Sequence, residues 1–216
     1  RFMGNKLKYI VILLYFAIIS VLLIKFDYGI NERENSRQEE NYVEKNYVND
    51  KMFADFEYFP VALVNSLDTY FFFENSYGDK REYGGDRVHE GIDIISSSNI
   101  RGELPVVSVC DGVVENIGWL ELGGYRVGIR SEKGVYYYYA HLYRYDEGIR
   151  EGEKIYAGQI LGYMGDTGYS KVEGTTGNFI VHLHFGIYIN TDGIERTINP
   201  YEILKKYEKN ILVYDF

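Results

Sequence analysis

From residue 104 to residue 190 the chain alternates short apolar runs with glycine-containing turns, and this pattern constrains the fold more than any other feature. The runs are rich in valine, isoleucine and tyrosine, as in LPVVSVCDG, YRVGIRSEKG, VYYYYAHL and NFIVHLHFGIYIN. β-Branched and aromatic residues favour strands, and glycine turns at this spacing are typical of hairpins. The chain also has 23 tyrosines and 23 glycines against only 3 prolines. We therefore predict a mostly β fold of antiparallel hairpins.

The N-terminal region contains a nearly continuous apolar run, YIVILLYFAIISVLLI, over residues 9–24. As a helix this run would be about 24 Å long, while a bilayer core is roughly 30 Å thick. No small-residue cleavage site of the A-x-A kind follows it, which favours an uncleaved anchor over residues 1–28 and leaves a cleaved signal peptide as the alternative. Basic residues precede the run and acidic residues follow it. The sequence therefore predicts a single-pass cell-membrane protein with an extracytoplasmic C-terminal domain.

Composition divides the remainder of the chain into four segments. Residues 29–52 are rich in glutamate and asparagine and predict an acidic flexible tether. Residues 53–83 form an aromatic lead-in segment, which either completes the core or covers a binding groove. The hairpins of residues 84–200 form the main domain. Residues 201–216 contain YEILKKYEKN, whose apolar residues at helical spacing predict a C-terminal helix and tail.

Charge and cysteine content exclude two classes of protein. Lysine and arginine number 23 against 32 aspartates and glutamates, a net charge of −9, so a nucleic-acid partner is not expected. The single cysteine, Cys110, cannot form an intramolecular disulfide. It also excludes a closed metal site built mainly from cysteines.

The four histidines lie in three short motifs that together indicate a metal-dependent site. HLHF reads as a strand, so His182 and His184 point to the same face. In HEGID, His89 and Asp93 would lie about 13 Å apart on a straight strand, so Gly91 must provide a bend if both are to meet one ion. The fourth histidine follows the tyrosine run in YAHL. Three nitrogen or oxygen ligands with a position left for water are typical of a catalytic zinc site.

A resemblance to a known family is carried by five segments in a fixed order: HEGID, PVVSVCDGVV, GVYYYYAHL, IREGEKIYAGQILGYMGDTG and HLHF. Over residues 84–190 the chain resembles the lysostaphin/LytM-type zinc endopeptidases of family M23, which cut bacterial cell-wall peptides. The resemblance implies a barrel-sandwich-like M23 peptidase domain and a Zn²⁺ ion bound by His89, Asp93 and His184. It implies catalytic roles for His141 and His182. The implied function is a zinc metalloendopeptidase that hydrolyses peptidoglycan peptides with a zinc-activated water.

Two other interpretations stay open at this point. Relatives of the family act as non-catalytic, membrane-anchored scaffolds that bind a partner protein in sporulation or division. Such scaffolds are expected to lack a zinc ligand or a catalytic histidine, whereas this chain retains all five residues, which favours an enzyme. A zinc-bound domain held latent by its own N-terminal segment is the third interpretation.

Two segments of the sequence depart from the family pattern, and the tyrosine run before His141 has two interpretations. Gly186 follows HLHF where many members have glutamate. Residues 170–181 replace a short lead into that motif, and they form either one wall of the substrate groove or a surface insertion. Strand alternation predicts that Tyr137 and Tyr139 share the face of His141, where they either line the groove or pack in the core.

Overall fold

The structure, a computed structural model, describes residues 52–81, 83 and 85–215. The first strands in chain order are β1 (Leu63–Val64), β2 (Phe71–Phe73), β3 (Lys80–Arg81), β4 (Arg87–Val88), β5 (Ile92–Ser96), β6 (Pro105–Val107) and β7 (Gly112–Leu120). They are followed by β8 (Gly124–Ser131), β9 (Tyr136–Tyr145), β10 (Lys154–Ile155), β11 (Ile160–Met164), β12 (His182–Thr191), β13 (Ile194–Ile198), helix α1 (Tyr201–Tyr207) and β14 (Val213–Tyr214). The predicted mostly β, antiparallel fold is confirmed.

One large antiparallel sheet dominates the described part of the chain. Seven of its strands follow the order β10-β7-β8-β9-β12-β5-β2, while β13 pairs with β12 and β11 joins β6 to β9. The two longest strands, β9 and β12, are each 10 residues long and pair with each other near the middle of this order. The short hairpin β3–β4 and the parallel pair β1–β14 lie outside the large sheet.

The core lies against one face of β9 and β12. On β12 the fully buried positions alternate along the strand: Leu183, Phe185 and Ile187. Tyr137 and Tyr139 occupy the corresponding face of β9, and the rings of Tyr139 and Phe185 meet at 5.3 Å. Because side chains alternate along a strand, the polar residues of β12 are left on the opposite face.

The aromatic lead-in segment contributes to this core. Phe56 is 1% exposed, and its ring lies 5.7 Å from Tyr137 and 4.7 Å from Tyr207 of α1. Phe59 is fully buried as well. The segment therefore joins the central strand to the C-terminal helix by apolar packing, which stabilises the domain in proportion to the apolar area removed from water.

The predicted localisation requires a correction. A single-pass cell-membrane protein needs a helix of about 20 apolar residues, and α1 spans only 7 residues. No helix among residues 52–81, 83 and 85–215 is long and apolar enough to cross a membrane. The predicted anchor at 1–28 lies outside the described residues, as does the predicted tether except for its last position.

Phe56→Ala should lower the free energy of unfolding by about 3–5 kcal/mol, because it removes a buried ring that contacts two other elements. Urea denaturation of the 216-residue chain measures this change. The matched control is Phe72→Ala, since Phe72 is 52% exposed and its loss should change stability little. Equal effects of the two substitutions would contradict a structural role for the lead-in segment.

Candidate active site

Two strand pairings bring the polar residues of β12 and β5 together. His184 pairs with Asp93 of β5 on one side and with Ala140 of β9 on the other. Directly opposed residues of an antiparallel pair point to the same face, so the side chains of His184 and Asp93 meet. His182 lies two positions before His184 and shares that face. The register of β12 therefore assembles one side of the site.

His89 precedes β5 and reaches the same point across Gly91. Its backbone N–H donates to the carbonyl of Asp79 at 2.8 Å, which ties it to the β3–β4 hairpin. A Cβ at Gly91 would lie 2.5 Å from the carbonyl oxygen of Phe185 and 2.8 Å from two atoms of the His184 ring. The sequence predicted that Gly91 supplies a bend. The structure shows a second reason for glycine here: a side chain at position 91 would collide with β12.

Three donor atoms converge on the open face of the sheet. His89 Nε2 lies 3.0 Å from Asp93 Oδ1 and 2.8 Å from His184 Nδ1. His184 Nδ1 lies 3.2 Å from Asp93 Oδ1. Donors bonded to one tetrahedral zinc ion at 2.0–2.1 Å lie about 3.3 Å from each other. The two nitrogens and one oxygen therefore have the chemistry and the spacing to hold one such ion.

Backbone carbonyls determine which ring nitrogen faces this point in three of the histidines. In each of these rings Nδ1 forms a hydrogen bond with a backbone carbonyl oxygen. The partners are Ser76 for His89 at 2.9 Å, Thr167 for His141 at 2.7 Å and Ile180 for His182 at 2.8 Å. Since a carbonyl oxygen only accepts, Nδ1 must carry the proton in each ring. Each Nε2 of a neutral ring is then a free lone pair, available as a metal ligand or a proton acceptor.

Asp93 directs its two oxygens to different partners. Oδ1 faces the histidines, while Oδ2 accepts a hydrogen bond from Arg81 Nη2 at 2.6 Å. Burial opposes the charge of Asp93, but the hydrogen bond from His184 and the adjacent His89 ring outweigh burial and hold its pKa well below the ordinary value. Asp93 is therefore ionised at neutral pH, and Arg81 orients its carboxylate. No local sequence pattern marks Arg81, which lies in the lead-in segment.

His141 occupies an irregular position of β9. Its φ is 63°, in the left-handed region, and the pairings of β9 with β8 and β11 both shift register beside it. A non-glycine residue held in this conformation costs about 1–3 kcal/mol, and bulges of this kind redirect side chains at functional sites. The bulge turns the His141 ring to the open face of the sheet.

This bulge also reverses the predicted placement of the tyrosines. Tyr137 and Tyr139 are fully buried in the core instead of sharing the face of His141. Tyr138 lies on the side of the site, with its ring 5.9 Å from that of His184. The predicted face was wrong because alternation applies only to a regular strand, and the left-handed residue interrupts it.

The two remaining histidines form a buried pair beside the three donors. The rings of His141 and His182 lie 4.7 Å apart, and their residues are 5% and 8% exposed. Burial, as the largest cause, lowers the pKa of His182 and lowers that of His141 well below its ordinary value. Both rings are therefore neutral at neutral pH, and both can accept a proton.

The insertion at residues 170–181 contributes an aromatic ring to this pair. The Phe179 ring lies 4.6 Å from that of His141 and 5.0 Å from that of His182. The insertion is attached through Gly177, whose N–H donates to the buried carboxylate of Asp166 at 2.9 Å. The sequence did not single out Phe179, although it is the one aromatic residue of the insertion.

The five side chains open onto a groove with a volume of about 460 Å³. Aromatic residues form one wall: Tyr136, Tyr138 and Tyr188. A Cβ at Gly186 would lie 3.1 Å from the Tyr188 ring and 3.5 Å from the Cβ of Tyr138. The absence of a side chain at position 186 thus leaves room for this aromatic wall.

Comparison with known proteins identifies relatives of this arrangement. The family model of peptidase family M23 matches residues 87–199, which is more than half of the chain. The L-Ala–D-Glu endopeptidase of Bacillus subtilis is 40% identical over 143 residues, covering 66% of this chain and 42% of that protein. Lysostaphin of Staphylococcus simulans is 30% identical over 120 residues, covering 55% of this chain and 22% of that protein. The chain thus spans less than half the length of either relative.

A solved structure from Ruminococcus gnavus that carries the name glycyl-glycine endopeptidase lytM is also similar. It is 44% identical, with a TM-score of 0.70, over 77% of this chain and 66% of that chain. The family predicted from the histidine motifs is confirmed by the match at residues 87–199: this chain belongs to peptidase family M23.

Proposed function

We propose that this chain is a zinc-dependent endopeptidase that hydrolyses peptide bonds of bacterial peptidoglycan. One observation carries the proposal, which is the convergence of His89, Asp93 and His184, with their donor atoms within 4.8 Å of one another. The groove that contains this cluster also contains His141 and His182. Metal ligands and proton acceptors are therefore exposed to the same bound molecule.

In this proposal His89 Nε2, Asp93 Oδ1 and His184 Nδ1 hold the metal. A zinc ion bound by three such ligands lowers the pKa of a coordinated water to about 7 and polarises a carbonyl group. Asp93 contributes a single negative charge, so the centre keeps a net positive charge that favours a developing oxyanion. The Asp93–Arg81 contact keeps the ligand oxygen aimed at the two histidine nitrogens.

His141 and His182 act on protons and on developing charge. Each donates Nδ1–H to a backbone carbonyl and leaves Nε2 free. One of these nitrogens can accept a proton from the attacking water, and the imidazolium formed in this way can stabilise the oxyanion of the tetrahedral intermediate and return the proton to the leaving amine. The ring of Phe179 covers both histidines and reduces the access of water to them.

The names of the relatives support a peptidase activity for this chain, but they refer to different peptide bonds. The curated relative at 40% identity is an L-Ala–D-Glu endopeptidase, and the solved structure at 44% identity carries a glycyl-glycine endopeptidase name. We propose a peptidoglycan peptide as the substrate on the basis of both. A scaffold that only binds a partner is the competing outcome of the experiments below.

The 216-residue chain should bind about one zinc ion, because three donors and an open position form one site. His184→Ala should abolish this binding, as measured by metal analysis after dialysis against zinc-free buffer. Glu90→Gln is the matched control, since Glu90 lines the groove without belonging to the donor cluster. Retention of stoichiometric zinc by His184→Ala would contradict the ligand assignment.

His141→Ala and His182→Ala should each lower kcat by roughly 100- to 10,000-fold, the usual contribution of a general acid or base. Both variants should retain zinc, because neither residue belongs to the donor cluster. The assay incubates the protein with chemically distinct purified peptidoglycans and detects new peptide termini by mass spectrometry. Zinc binding without cleavage of any peptidoglycan by the wild-type protein would contradict the proposed activity and favour a scaffold.

A further inference from the structure

Three arginines line the groove of this acidic protein, and two of them have evident partners. Arg81 binds Asp93, and Arg87 donates to the carbonyl of Tyr83 at 2.7 Å and to the hydroxyl of Tyr169 at 3.1 Å. The third arginine is Arg126 of β8.

Arg126 has an unsatisfied donor. Its Nη1 atom is shielded from solvent and has no hydrogen-bond partner among residues 52–81, 83 and 85–215. No carboxylate within those ranges forms an ion pair with it, whereas Arg81 pairs with Asp93. A buried N–H without a partner costs about 1–3 kcal/mol, and more when the group is charged.

Two acidic residues of the same groove, Glu115 and Glu195, are engaged by Arg130. Glu115 accepts from Arg130 Nε at 2.5 Å and from Arg130 Nη2 at 2.6 Å. Glu195 accepts from Arg130 Nη2 at 2.5 Å. Arg130 therefore takes up both carboxylates, and Arg126 keeps its positive charge available to a molecule in the groove.

The aromatic wall connects Arg126 to the metal candidates. Arg126 and Tyr138 line the same groove as the three donor residues. The Tyr138 ring lies 5.9 Å from that of His184. Arg126 and the ligand cluster therefore face the same bound peptide.

We propose that Arg126 binds a carboxylate of the substrate close to the scissile bond, so that the site prefers anionic stem peptides over uncharged glycine bridges. The inference rests on the proposed function and specifies its substrate class. A guanidinium fork matches a carboxylate with two parallel hydrogen bonds, and the low dielectric of an aromatic wall strengthens the pair. A glycyl-glycine bond has no side-chain charge to satisfy this arginine, whereas an L-Ala–D-Glu bond carries an acidic residue.

The test compares two synthetic stem peptides that differ in one group. Both contain the L-Ala–D-Glu bond, with the α-carboxylate of D-Glu either free or converted to its amide, and pentaglycine serves as an uncharged third peptide. With the zinc-loaded 216-residue chain, kcat/KM should be roughly 10- to 100-fold higher for the free acid than for the amide, the usual effect of one charge-assisted pair.

Substitutions assign this preference to Arg126. Arg126→Met should make kcat/KM equal for the acid and the amide, and an unchanged far-UV circular-dichroism spectrum shows that the variant is folded. Arg126→Lys should retain part of the preference, because it keeps the charge and loses the fork. Arg150→Met is the matched control, because the Arg150 side chain is 77% exposed, pairs with Glu153 and does not line the groove. Equal rates for acid and amide, or a preference that survives in Arg126→Met, would overturn the inference.

A binding measurement separates this inference from the proposed function. Fluorescently labelled acid and amide peptides are titrated with the zinc-loaded chain and with zinc-loaded Arg126→Met. Tighter binding of the acid that Arg126→Met abolishes supports the carboxylate site even if no peptide is cleaved, and in that case only the proposed hydrolysis fails. Equal binding of the two peptides overturns the carboxylate site whether or not cleavage occurs.

Discussion

The antiparallel register of β12 is the constraint on which the rest of the structure depends. It places His184 opposite Asp93 of β5 and Ala140 of β9 in one step. The same register puts Phe185 on the opposite face, against Tyr139 and the apolar core. A slip of one residue would move the histidines into the core and the phenylalanine into the groove. The same register therefore determines both core packing and site geometry. Burial of Phe185 in the core stabilises the register that aligns His184 with Asp93.

Backbone hydrogen bonds orient the polar side chains of the candidate site. Three histidines have Nδ1 fixed on a carbonyl oxygen, so their Nε2 atoms are directed without a metal. Burial keeps the His141 and His182 rings neutral, while hydrogen bonds keep Asp93 ionised despite burial. The neutral histidine rings and the ionised Asp93 therefore place nitrogen lone pairs and one negative charge close together. Such a set suits a divalent cation, and the left-handed backbone of His141 shows that the fold accepts local strain to complete it.

Local sequence patterns were sufficient for the strand class and for the shared face of His182 and His184, because both depend on alternation within one segment. The grouping of His89, Asp93 and His184 came from the family resemblance. Local patterns could not give it, because it depends on the pairing of β12 with β5, two strands that are far apart in the sequence. The tyrosine faces were mispredicted because a bulge depends on how β9 pairs with two neighbours. Phe179, Arg81 and Arg126 were missed for a related reason: each reaches the groove or its histidines by tertiary packing, and no local pattern marks its role. The membrane localisation failed because it rested on a segment outside the described fold.

Zinc-edge X-ray absorption spectroscopy of the zinc-loaded chain tests the proposed metal centre, because it reports the atoms bonded to the metal. We expect two imidazole nitrogens at about 2.0–2.1 Å together with oxygen ligands, and no sulfur. In His184→Ala the two-imidazole signature should disappear. A sulfur ligand, which only Cys110 or a methionine could supply, or an unchanged imidazole signature in His184→Ala would contradict the metal centre described here.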